Sequence, residues 1–306
     1  MTQRGTIEEG VVETEGLRVD RWAAEHFVRL PSRAAARKAA KRGDLQLNGA
    51  PVESSRFVRV GDVVTLALDD VVLPPNRLTP EVVFADEHLA VVVKPPGLLT
   101  NGARLRTLER ALPNVLRRSS LPDALAAPRP VHRLDYETTG LVVVARTEGA
   151  MVALGRAFQQ REVHKTYRAL VAGRLEEDRV IEVPLDGRDA RSEVVVLGHT
   201  RSLKVDWSTE LTLHPVTGRM HQLRRHLSGI GHAILGDRRY PSGSVLRKHG
   251  LFLAAVGLSL RHPTTGEPLA LTMPVPPKFG VFQARERRRW ARHHGDGSSS
   301  TSASST

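Results

Sequence analysis

The features that most constrain the fold of this chain are two short, unbroken runs of β-branched residues. Leu89-Ala90-Val91-Val92-Val93 and Leu141-Val142-Val143-Val144-Ala145 have no polar face and are too short for an ordinary helix, so they read as strands buried on both sides. Val82-Val83-Phe84 precedes the first, with Asp86-Glu87 as the turn between them. Further strands are expected at 167–172, 193–197, 209–213 and 257–261. Thr147 is placed to cap a helix with Met151, Leu154 and Phe158 on its core face. A second helix at about 219–228 is expected to bury Met220, Leu223 and Leu227 and to stop at Gly229. Strands and helices mingle without regular βαβ alternation. The expected fold class is therefore α+β, with a mixed, largely antiparallel sheet.

Ahead of this region stands a smaller α/β pattern. Residues 1–14 read as a loose polar tail, and a compact unit follows over 15–70. Trp22, Phe27 and Leu30 suit the buried face of a first helix, while Ser32 caps and Gly43 ends a second. Arg33, Arg37 and Lys41 recur every four residues on one face of that second helix, with Lys38 and Arg42 beside them. Leu45 and Leu47 then alternate with polar residues up to Asn48-Gly49, a tight-turn signal. A strand from Val63 to Leu68 closes the unit. A proline-rich linker over 71–80 leads to a catalytic-sized domain over 81–282. Residues 283–294 can form a basic helix around Trp290, and the chain ends in a low-complexity tail, with 283–306 read as an appendage.

Charge narrows the class of partner. The chain carries 45 Lys and Arg against 33 Asp and Glu, a formal net charge of +12. Such an excess suits a polyanion. No apolar stretch is long enough to span a bilayer, and the N-terminus lacks the apolar core of a signal peptide. Nucleic acid is thus favoured over a membrane, and a cytoplasmic monomer is the expected form. The chain has no cysteine, which removes disulfides, thiolate nucleophiles and Cys-based zinc sites. Its histidines form no HExxH helix, and no Walker loop or dinucleotide fingerprint is present, so neither a metal nor a cofactor is expected.

Four blocks carry the chemistry. They are DEHLAVVVKPPGL at 86–98, VHRLDYETTGL at 131–141, KTYRALVAG at 165–173 and HPVTGRMHQLR at 214–224. In this order they resemble the RluA-type pseudouridine synthases over about residues 81–276. The preceding unit resembles the small RNA-binding domain named after ribosomal protein S-four. That resemblance implies RNA contact through Arg33, Arg37, Lys38, Lys41 and Arg42, chiefly with phosphates.

The family resemblance also implies an activity and a set of roles. Pseudouridine formation cuts the bond from uracil to the anomeric carbon, turns the base and rejoins it through a ring carbon. One carboxylate is needed near the sugar, to attack the anomeric carbon or to remove a sugar proton. Asp135 matches that residue. A buried carboxylate needs a cation partner, and Arg219 is matched to that position. Tyr167 corresponds to the active-site tyrosine that stacks on the target base and can assist late proton removal. Arg133 resembles the residue that fills the space left in the RNA when the uridine is flipped out, with His132 shaping the loop. Leu253 matches the apolar residue beside the flipped base. Glu137 is expected to face solvent. Two departures are Ala254, where the family often has His, and Met220, where Thr or Ser is common; both bear on RNA contacts. The S-four-like unit implies large-subunit ribosomal RNA more than transfer RNA. A non-catalytic RNA-binding or ribosome-assembly factor would be favoured had Asp135, Tyr167 or Arg219 been lost, and all three are present.

Overall fold

The computed structural model describes residues 7–27, 30, 32–67, 77–102, 106–241, 246 and 249–295. The linker expected over 71–80 lies outside them up to residue 76, as does the low-complexity tail from residue 296.

The N-terminal unit is a four-stranded antiparallel sheet with two helices. Its elements are β1 (Ile7–Val11), α1 (Val19–His26), α2 (Arg33–Arg42), β2 (Leu45–Leu47), β3 (Ala50–Pro51) and β4 (Val63–Ala67). The strand order is β1-β4-β2-β3. Trp22, Phe27 and Leu30 are buried with Leu45, Val64 and Leu66. Ser32 caps α2 by accepting from the Ala35 N–H, and Gly43 ends it in the left-handed conformation at φ 82°.

Residues 7–11 correct the expectation of a loose tail over 1–14. They form β1, paired antiparallel with β4 from Ile7 opposite Ala67 to Val11 opposite Val63. The segment IEEGV has little hydrophobic alternation of its own and gains its order from the free edge of β4. Gly10 permits the close packing: a Cβ there would lie 2.7 Å from the Trp22 ring.

The basic face of α2 is also less free than its sequence implies. The Asp20 side chain is fully buried and lies 2.8 Å from Arg37, 3.3 Å from Arg33 and 3.6 Å from Arg18. Burial alone would raise its carboxyl, yet the three arginines hold it below the usual range. Arg42 pairs with Asp44. Arg33 and Arg37 therefore have a structural duty beneath their half-exposed heads, since loss of both would strand a buried carboxylate. Lys38 and Lys41 are exposed on the same helix.

The second region is built on a ten-stranded sheet. In chain order it contains β5 (Val82–Ala85), β6 (Leu89–Lys94), β7 (Ala124–Pro130), β8 (Thr139–Thr147), α3 (Glu148–Gln159), β9 (His164–Ala172), β10 (Arg179–Ile181), β11 (Ser192–Ser202), β12 (Asp206–Pro215), α4 (Gln222–Gly229), β13 (Leu253–Arg261), β14 (Pro268–Thr272) and α5 (Lys278–Gly295). The main path runs β10-β11-β12-β9-β13-β8-β6-β5, with β14 on β13 and β7 on β8. Every pairing is antiparallel except β13 with β8, which matches the mixed, largely antiparallel sheet expected of an α+β fold.

The parallel contact is a seam between two antiparallel halves. Ala254 and Ala255 pair with Thr139 and Gly140. Gly140 has φ 133°, and a Cβ there would lie 2.2 Å from the Ala255 carbonyl oxygen. No side chain fits at that point, so the closeness of the seam depends on glycine.

Two helices differ from expectation. Helix α4 begins at Gln222 rather than 219, and Met220 is 56% exposed instead of buried. Helix α5 begins at Lys278 rather than 283, and Phe279 and Phe282 are buried against Phe252. The basic helix is thus rooted in the core of this second region. Among the described residues, no helix is long and apolar enough to cross a membrane.

Candidate active site

Asp135 lies in the loop between β7 and β8, and the loop is tied down on several sides. Thr100 Oγ1 donates to the Leu134 carbonyl and accepts from the Leu134 N–H. His132 Nε2 accepts from the Val143 N–H at 3.0 Å, and its ring stacks on Phe158. Burial, with Lys165 adding to it, pushes the His132 imidazole down to about 3. His132 is therefore a neutral acceptor that fixes the loop. The Thr138 N–H donates to the Asp135 carbonyl, closing a tight turn.

Lys94, at the end of β6, anchors the same loop from below. It has no exposed surface, and its Nζ donates to the carbonyls of Pro95, Leu98 and Tyr136. Burial pulls its ammonium down to about 8, against the opposing field of Asp135. The unfolded chain, with the ordinary 10.5, binds more protons than the folded one between these values. Stability should accordingly rise with pH through that window, by roughly 2–3 kcal/mol for complete deprotonation. Denaturant titrations at about pH 7.5 and about pH 10 should show this rise in the wild type and not in Lys94→Met. Equal slopes in the two proteins would refute the assignment.

Around Asp135 is a cleft of about 660 Å³, within the range of small-ligand sites. Tyr167 of β9 and Leu253 of β13 line it together with Arg133 and Arg219. Register explains the first two. Tyr167 pairs with Ala255 and Ala169 with Leu253, so alternation sends Tyr167 and Leu253 to one face of the sheet. Burial and then the field of Asp135 push the Tyr167 phenol above its ordinary value. Arg133 is exposed at the cleft.

The remaining wall comes from α4 and the loop before it. The Gln222 side chain is buried. Its Oε1 accepts from Thr217 Oγ1 and the Arg219 N–H, and its Nε2 donates to the Arg191 carbonyl and Ser192 Oγ on β11. This lock places His221, in the left-handed conformation at φ 53°, just before the helix. His221 Nε2 is 3.7 Å from Asp135 Oδ1, and Nδ1 is 3.0 Å from the Tyr240 hydroxyl. Burial, aided by Arg224 and Arg239, keeps His221 below its ordinary 6.5 despite Asp135.

Here the structure corrects the cation assigned to Asp135. Arg219 precedes the helix, and its Nε donates to the Asp189 carbonyl at the rim. Arg224 faces the carboxylate instead, with Nη1 3.7 Å from Asp135 Oδ2. Its side chain is 4% exposed. Nε and Nη2 grip the two oxygens of fully buried Asp237 at 2.7 and 2.8 Å. Burial would raise the Asp237 carboxyl, but Arg224 and two backbone N–H groups outweigh it and hold it low. Glu137 also differs from expectation: Oε2 accepts from Arg224 Nη2 at 3.2 Å rather than facing solvent. The residues missed from sequence are thus Arg224, Asp237, His221, Gln222 and Lys94. Leu223 and Leu227 on the core side of α4 are the signal for the first, because Arg224 lies next to them on the helix.

Residues 88–229 match the sequence pattern of the RNA pseudouridylate synthase family. An RNA pseudouridine synthase of Aquifex aeolicus is 33% identical over 298 residues, covering 88% of this chain and 93% of that protein. The ribosomal large subunit pseudouridine synthase D of Nitrosomonas europaea is 41% identical, covering 64% of this chain and 62% of its own length. Among solved structures, human RNA pseudouridylate synthase domain containing 4 superposes with a TM-score of 0.56 at 26% identity, over 68% of this chain and 93% of that one. With three of the four sequence blocks lining one cleft and Lys94 of the first anchoring its Asp135 loop, these likenesses establish that the chain belongs to the RNA pseudouridine synthase family, enzymes that isomerise uridine within RNA.

Proposed function

We propose that this enzyme isomerises particular uridines of large-subunit ribosomal RNA, with Asp135 as its catalytic carboxylate. The observation that carries the reading is the setting of Asp135. Its side chain is 20% exposed on a pinned turn, faced by Arg224 and His221, in a cleft that also holds Tyr167 and Leu253. A flipped uridine seated there would present its sugar to Asp135 and its base to the Tyr167 ring. The carboxylate then attacks the anomeric carbon or removes a sugar proton, and both routes break the bond from that carbon to the base nitrogen. The freed base turns and a ring carbon bonds to the anomeric carbon. This displaces the carboxylate in the first route; in the second, Asp135 returns the sugar proton. The proton on that ring carbon is released to solvent. Tyr167 serves as a neutral stacking surface, since its phenol proton is held more tightly than usual. Arg224 supplies the positive charge opposite Asp135, and Arg133 enters the space the uridine vacates.

The N-terminal unit supports the choice of ribosomal RNA. It adds exposed Lys38 and Lys41 on α2, suited to phosphates beyond the target nucleotide. The Nitrosomonas relative, similar over 64% of this chain, is named for the ribosomal large subunit. The test is a nucleotide-resolution pseudouridine map of ribosomal and transfer RNA from cells with the wild type or Asp135→Ala. Specific uridines of large-subunit RNA should lose the mark in the mutant. Loss confined to transfer RNA would overturn the substrate. Identical maps, with purified protein inactive on both RNAs, would favour a binding factor.

A further inference from the structure

The C-terminal helix α5 carries cations that the catalytic site does not use. Arg285, Arg287, Arg288, Arg289 and Arg292 lie within two turns, with Glu286 as the acid among them. Glu286 is fully buried. It accepts from Ser202 Oγ at 2.7 Å and lies 3.5 Å from both Arg285 and Arg289. Its charge is therefore turned inward and shared by two arginines. Arg287, Arg288 and Arg292 are exposed, and no carboxylate pairs with them among the described residues. Arg288 and Arg292 stand one turn apart on the same face.

The helix is held rigidly at both ends. Phe279 and Phe282 pack on Phe252. Near the other end, the Arg201 guanidinium lies between two rings, 3.9 Å from the Trp207 centroid and 4.8 Å from that of Trp290. Arg201 is itself paired with Asp206. Exposed arginines on an anchored helix lose little freedom on binding, which a solvated charge run on a loose terminus would not offer.

The position of α5 defines what it can touch. Gln283 donates to Glu210, which also pairs with Arg168. In the β9–β12 register these residues alternate with Tyr167 and Leu213, so they point to the face opposite the cleft. Helix α5 thus lies behind the sheet that carries Tyr167. A short stem-loop in the cleft would not reach it, whereas a large folded RNA could wrap to it. The helix's large apolar side chains are mostly turned inward, which disfavours insertion into a lipid surface.

We propose that the solvent face of α5 is a second RNA-binding surface, taking backbone phosphates of a large structured RNA far from the target uridine. This rests on the proposed function only in naming such an RNA as the partner. The test compares the full-length wild type with Arg287→Gln/Arg288→Gln/Arg292→Gln, whose fold is checked by circular dichroism. Binding to a domain-sized folded fragment of large-subunit ribosomal RNA and to a short stem-loop is measured across a salt series. For the large fragment, the triple variant should bind about tenfold more weakly, with a log–log salt slope smaller by roughly 2. For the stem-loop, both quantities should match the wild type. Unchanged affinity and slope on the large fragment would overturn the proposal. So would equal losses on both RNAs, or a loss seen only in sedimentation with vesicles of anionic phospholipid. Pseudouridine formation is scored separately in the same samples. If the wild type binds the fragment without modifying it, the substrate assignment falls while the binding comparison still decides the role of α5.

Discussion

Asp135→Asn is expected to lose pseudouridine formation by roughly 10⁴-fold or more, because an amide can neither attack the anomeric carbon nor take a sugar proton. Substrate binding should barely change, with KM moving by less than about threefold. The substitution is nearly isosteric, and the loop is held by His132, Thr100 and Lys94 rather than by the Asp135 side chain. Single-turnover assays on a substrate RNA, together with filter binding, separate the two effects. Full activity in Asp135→Asn would remove Asp135 from the chemistry. A parallel collapse of affinity would instead mark it as a binding residue.

The second large effect concerns stability. Arg224→Met should destabilise the protein by about 3–5 kcal/mol, since it leaves the buried carboxylate of Asp237 without its bidentate partner. In a catalytic region of this size, that corresponds to a fall in melting temperature of roughly 10 °C. The double substitution Arg224→Met with Asp237→Leu should recover part of the loss, because it removes the stranded charge as well. Arg219→Ala should change stability by less than about 0.5 kcal/mol, as expected for a rim residue. Calorimetry on the four proteins tests this directly. Equal melting of Arg224→Met and Arg219→Ala would mean that the Asp237 pair contributes nothing to the fold.

The contrast between these two arginines marks the limit of sequence reading. Both belong to the block HPVTGRMHQLR, and the residue types alone do not separate them. The separation depends on where α4 starts, which the left-handed His221 and the Gln222 lock decide through contacts with β11. Strands β6 and β8 were legible because continuous β-branched runs leave few alternatives, and Thr147 announced α3 through its side-chain cap. Asp135, Tyr167 and Leu253 were reached through the family's sequence blocks, and the structure places them in one cleft. Strand β1 was not legible, since its order is borrowed from β4 rather than written in IEEGV. The start of α5 was masked by Pro274, Pro276 and Pro277, although proline just before or at the first turn is compatible with a helix. The pairing of Glu137 with Arg224 likewise depends on a contact from a distant segment.

The seam at Gly140 and Ala255 bears on when this enzyme can first act. Asp135 and the strand that follows it are synthesised before β13, which closes the seam and brings Leu253 only after β9 to β12 and α4 have been made. Contacts between such distant segments form late and slowly. During translation the first antiparallel half would wait with the β8 edge unpaired, a state open to misassociation. A growing chain in which β13 has not yet docked therefore has no finished active site. The ability to modify RNA begins only once β13 has emerged and docked.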